Sequence, residues 1–222
     1  MHSSKLISDT DLLFKKLPEV HYDLFELIKK QKLDDLHKKI TKQVTEGNYT
    51  AHEFGIILQQ LFSQIGDPHT QVQPDFLPRP IRFEWINGKF YAFVVPYSSK
   101  ELLYIELTDV DGIETKEFLH EAAKYLVYEN DEGQKIANAD ALSEVKLIKF
   151  LAKNRKRKVT YSFADGRTVK IGFSMTERSA DQKGAGSTKG NSFLNKRENY
   201  YVKHDSGRLY LRYARCREDK EY

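Results

Sequence analysis

Residues 50–70 read TAHEFGIILQQLFSQIGDPHT. Thr50 and Glu53 stand at capping-box spacing, a hydroxyl three residues ahead of a carboxylate, so each can satisfy a backbone N–H left orphaned in a first helical turn. Phe54, Ile57, Leu58, Leu61, Phe62 and Ile65 then recur every three or four residues and lay one apolar stripe along a helix. Gly66 ends it. The period stops at Asp67-Pro68, where proline fixes its own backbone and pushes the residue before it toward an extended conformation. A helix with one face to bury, followed by a stiff polar turn carrying His69, sets the frame for the rest of the chain.

Upstream, the sequence reads as helical. Ser8 and Asp11 repeat the capping-box spacing ahead of Leu12, Leu13 and Phe14, and Pro18 is expected to stop that turn. Leu24, Phe25, Leu27 and Ile28 form a short helical pattern. Leu33, Leu36, Ile40 and Val44 mark a further helix, with Gly47 expected to close it in the left-handed region. Downstream the period changes. Residues 70–73 look extended and 78–80 break the pattern. Ile81–Ile86 and Phe90–Val95 are β-rich runs around Asn87-Gly88, a strong hairpin signal. A third strand is expected over Leu102–Val110, then helices over Glu117–Tyr128 and 134–152, then a hairpin over 158–164 and 167–173 around Asp165-Gly166. Residues 174–198 are polar and rich in Gly, Ser and Lys, which reads as a linker. Tyr200–Lys203 and Arg208–Arg215 alternate as a final strand pair.

Composition narrows the function classes. With 222 residues and 40% hydrophobic content, the chain has enough apolar material for a sizeable core. No apolar run reaches the ~20 residues of a membrane span, and the N-terminus lacks the apolar segment of a signal peptide. The compartment is left open. One cysteine, Cys216, excludes a disulfide framework and a cysteine-based zinc site. His21, His37, His52, His120 and His204 are scattered without the spacing of a zinc peptidase, so no metal or cofactor is expected.

Charge is uneven. Residues 1–150 hold 18 basic against 24 acidic side chains, and residues 151–222 hold 18 against 8. The run Lys153-Asn154-Arg155-Lys156-Arg157-Lys158 is the densest basic stretch. Phosphate binding would begin from such a cluster. Without interleaved aromatics it reads instead as a solvated helix end, where cations are favoured by the helix dipole, and no nucleic-acid partner is expected. Gly186-Ser187-Thr188-Lys189-Gly190 has the outline of a nucleophile elbow but lacks the strand and helix that would frame one.

The apolar helix followed by Gly66-Asp67-Pro68-His69-Thr70 resembles the family of tail-specific, or C-terminal processing, serine peptidases, which includes the core of tricorn protease. Glu19-Val20-His21-Tyr22-Asp23-Leu24-Phe25 is similar to an early stretch of that family, with Tyr22 where proline is common. Leu77-Pro78 resembles the lead-in to its PDZ-like domain. Thr108-Asp109-Val110-Asp111-Gly112-Ile113 is similar to a turn inside that domain, with Asp111 in place of Asn. Leu209-Tyr210-Leu211-Arg212-Tyr213-Ala214-Arg215-Cys216 resembles the first strand of its protease core.

The resemblance implies an α+β protein: an N-terminal helical domain over 1–75, a PDZ-like domain over 78–174, a linker over 175–197 and the start of a protease core over 198–222. It implies the N-terminal and PDZ-like portion of a serine-type endopeptidase that recognises extended or C-terminal peptide segments. His69 is the candidate general base in the tricorn-like branch; other branches use a Ser-Lys dyad. Asp67 orients His69 or caps its turn. The Glu117–Tyr128 helix would wall a peptide groove. The family's serine lies beyond Tyr222, so residues 1–222 alone are expected to be inactive, since a base without a nucleophile transfers no acyl group. The alternative is a non-catalytic peptide-binding or scaffold protein.

Overall fold

The computed structural model describes residues 3–72, 79, 81–153, 158–172, 200–205 and 208–213. The described residues up to Gly172 belong to one compact unit, and a separate hairpin follows. The mixture of helix and sheet is α+β, as the sequence leads one to expect.

Four helices open the chain: α1 (Ser3–Val20), α2 (Leu24–Leu27), α3 (Lys30–Glu46) and α4 (Ala51–Ile65). Their shared core is the apolar set read from the sequence, Leu33, Leu36, Ile40 and Val44 on α3 against Phe54, Ile57, Leu58, Leu61, Phe62 and Ile65 on α4. The α4 capping box forms in full: Thr50 Oγ1 accepts the Glu53 N–H, and Glu53 Oε2 accepts the Thr50 N–H at 2.8 Å. Gly66 closes α4 at φ 76°.

Two expectations in this region are corrected. Ser8 lies inside α1 and caps nothing, because the helix begins at Ser3. Burial decides this. Leu6 is fully inside the core with Phe14 and Leu17, and the buried Thr10 hydroxyl donates to the Leu6 carbonyl at 2.8 Å. Pro18 falls within the last turn, and α1 ends two residues later. Gly47 is extended (φ −107°, ψ 163°) rather than left-handed. A Cβ there would stand 2.1 Å from Tyr49 Cε2, so a side chain at 47 would push the Tyr49 ring aside.

The second half builds a smaller sheet system. β1 (Arg82–Ile86) and β2 (Lys89–Val94) form the expected hairpin, with Asn87 and Gly88 both at positive φ. β3 (Leu107–Val110) is shorter than the strand expected over 102–110. Residues Tyr97–Leu102 instead form a 3₁₀ turn that buries Leu102, and Tyr104 takes a positive φ to donate to the Ala92 carbonyl at 2.7 Å. β4 (Ile113–Glu114), β3, β5 (Lys158–Phe163) and β6 (Thr168–Gly172) make an antiparallel sheet in the order β4-β3-β5-β6.

The helical segments of this half also differ in length. α5 (Thr115–Ala122) gives way to a 3₁₀ turn over Ala123–Tyr125 instead of running to Tyr128. The single helix expected over 134–152 is two, α6 (Asp131–Ser143) and α7 (Val145–Leu151), parted at Glu144 (φ −88°, ψ 95°). The break allows Ala141 and Leu142 on one side and Val145 and Ile148 on the other to stay in the same core as Phe83, Phe118 and Tyr161. Ile136 on α6 is exposed.

α4 joins the two halves. Ser63 Oγ donates to the Lys124 carbonyl at 2.8 Å, and Val127 and Phe150 pack against the four-helix core. By itself, the last hairpin pairs β7 (Tyr200–Asp205) antiparallel with β8 (Arg208–Tyr213), the strand pair expected there. The linker over 174–198, Ser187 and Cys216 lie outside the described residues, as does most of the basic run after Lys153.

Candidate functional site

Directly after the Gly66 cap, Asp67 organises the turn that carries His69. Its Oδ1 accepts the His69 N–H at 2.9 Å, its Oδ2 accepts the Thr70 hydroxyl at 2.5 Å, and its carbonyl accepts the Thr70 N–H at 2.9 Å. Asp67 is thus the turn cap, the role its two-residue spacing from His69 favoured. The Thr70 hydroxyl and the His69 N–H together hold the Asp67 carboxyl below its ordinary range. Residues 70–72 form no strand, contrary to expectation, because Thr70 is spent in this turn. His69 itself is exposed, and among the described residues no side chain hydrogen-bonds its imidazole.

The structure adds a residue that spacing did not single out for this site. His21, in the segment between α1 and α2, has a side chain only 9% exposed, and its Nε2 lies 3.4 Å from Asp67 Oδ2. Its Nδ1 accepts the Asp23 N–H, which assigns the ring proton to Nε2, facing the carboxylate. The two stretches that carry the family resemblance in the helical half, 19–25 and 65–70, therefore meet in space. That shared resemblance was the only signal in the sequence that paired them.

Beside the turn is a cavity of about 650 Å³. Pro68 and Gln71, flanking His69 in the sequence, contribute to its wall; α4 supplies Ile56 and Gln59, and α6 supplies Ile136 and Ala137. Charged groups ring it. Arg79 pairs with Asp140, and Lys146 Nζ lies 3.0 Å from His52 Nδ1. Glu144 accepts the Lys146 N–H at 3.3 Å, and burial pushes its carboxyl above the ordinary range. His37 is engaged elsewhere in the helical half: it pairs with Asp11 at 2.7 Å and stacks on Phe14. Among the described residues no cluster of His, Cys, Asp and Glu has the make-up of a metal site, and no helix is long and apolar enough to cross a membrane.

No family model matches the chain. No curated protein matches it by sequence. Solved structures do. Mature CPAF complexed with lactacystin is similar over 76% of this chain at 19% identity and TM-score 0.52. Mature CPAF alone gives 19% identity and TM-score 0.51 over the same share, and a CPAF serine-to-alanine mutant gives 17% and 0.52. CPAF is a chlamydial serine protease with a tail-specific protease-like fold. The chain spans about a third of the CPAF chains it matches, 34% in the first two cases. At this identity the likeness is one of fold: residues 1–222 share the CPAF-like arrangement over three quarters of their length.

Proposed function

We propose that residues 1–222 are the N-terminal portion of a serine-type peptidase that engages extended or C-terminal peptide segments. In this reading His69 is the general base for a serine supplied from outside these residues, and the chain alone is inactive. The α+β half, from β1 to β6, is the PDZ-like reader of the substrate. The observation that carries the reading is the Asp67 turn. Asp67 Oδ1 holds the His69 N–H and Oδ2 holds the Thr70 hydroxyl, which fixes the turn while the His69 imidazole is left exposed. An imidazole so presented suits removal of a hydroxyl proton and its later return to a leaving amine. The CPAF-like fold supports the same reading. Peptide hydrolysis by the native gene product carrying this chain tests it: His69→Ala should lower kcat/KM by about a hundredfold or more while substrate binding persists.

The cavity beside Pro68 favours a second reading, a peptide-binding protein without catalysis. Its mark is micromolar-range peptide affinity in residues 1–222 that His69→Ala leaves unchanged, with no hydrolysis by the native product.

A further inference from the structure

We infer that His21 is a positioning residue for His69, acting through the Asp67 carboxylate. The inference rests on the reading of His69 as the general base, and its geometry is independent of that role. His21 Nε2 is sealed from solvent and has no hydrogen-bond partner among the described residues. A buried N–H without a partner is costly, so its placement calls for a compensating group. The nearest carboxylate oxygen is Asp67 Oδ2, at 3.4 Å, close enough for electrostatic attraction to the Nε2–H though not hydrogen-bonded to it. The opposite side of the ring is pinned by the Asp23 N–H at 3.2 Å, so the imidazole cannot flip without losing that bond. Asp67 in turn holds the His69 N–H and the Thr70 hydroxyl. The chain of contacts runs from the α1–α2 connection, through one carboxylate, to the backbone of His69. Asp67 thereby keeps one orientation in which both oxygens are occupied, and the His69 backbone follows it.

Nuclear magnetic resonance on residues 1–222 tests this without any catalytic assay. In the wild type the His21 ring should be the Nε2–H tautomer; an Nδ1–H ring overturns the inference. His21→Phe keeps the ring volume and removes the donor. It should speed hydrogen exchange of the His69 and Thr70 amides about tenfold and shift the His69 ring resonances, with Ile57 and Leu61 amides unchanged. His21→Gln restores a donor and should return exchange to within about threefold of wild type. A filler role for His21 predicts that Phe preserves the turn at least as well as Gln, and that result also overturns the inference. If Phe unfolds the chain, the tautomer and the Gln variant decide it. Failure here leaves the peptidase reading standing, and loss of that reading through an inactive native product leaves the exchange result standing.

Discussion

The Thr70 hydroxyl donates to Asp67 Oδ2 at 2.5 Å, closing a four-residue turn whose third member is His69. This bond is the first cause of the lowered Asp67 pKa, ahead of the His69 N–H. A depressed carboxyl contributes stability that is present above the unfolded aspartate pKa of ~3.9 and is lost as pH falls through the folded value. Asp67→Asn should therefore be less stable than wild type near neutral pH, by about 1 kcal/mol. The gap should close below the ordinary aspartate range. Urea unfolding from pH 7 down to pH 3 measures it.

Glu144 titrates in the opposite sense. Burial raises its carboxyl, against the pull of the Lys146 N–H and the Arg79 charge. The folded form holds its proton to higher pH than the unfolded chain, so folding is favoured below the unfolded glutamate pKa of ~4.3 and that advantage is lost as pH rises through the folded value. Glu144→Gln keeps an acceptor for the Lys146 N–H. Its stability relative to wild type should rise between pH 4 and neutrality, as read from thermal midpoints across that range.

Much of the fold was legible where its causes are local. The Thr50–Glu53 box, the Gly66 cap and the Asn87-Gly88 and Asp165-Gly166 turns depend on residues within a few positions of each other, and all form as read. The misread elements are those where burial outweighs a local signal. Leu6 pulls α1 back to Ser3, past the apparent cap at Ser8. Glu144 breaks a periodic run so that two short helices share one core. Of the site, the Asp67 turn was legible from its spacing. The approach of His21 was not, because it depends on how α1 and α4 are brought together.

Gly47 offers a direct test of packing over backbone conformation. Its φ of −107° suits any residue, so alanine carries no conformational strain there. The added methyl would instead meet the Tyr49 ring at 2.1 Å. Gly47→Ala should cost about 1–2 kcal/mol by displacing Tyr49 from the four-helix core. In a Tyr49→Ala background the same change should be nearly neutral. A double-mutant cycle by chemical denaturation reads the coupling.

Thr50→Ala removes the hydroxyl that accepts the Glu53 N–H and should cost about 0.5–2 kcal/mol. Since α4 ends at the His69 turn and also touches the second half through Ser63, the loss should appear in global unfolding rather than as local fraying. Coincident transitions by helix circular dichroism and Trp85 fluorescence would show this.

His69 is proposed to serve a serine in acyl transfer. The most direct test is the rate at which a fluorophosphonate labels the native gene product that carries these residues, compared with the same protein bearing His69→Ala. The account predicts labelling of a single serine outside residues 1–222, with a rate that falls by about a hundredfold or more in the variant. A native product that takes no label, or takes it equally fast without His69, would contradict it.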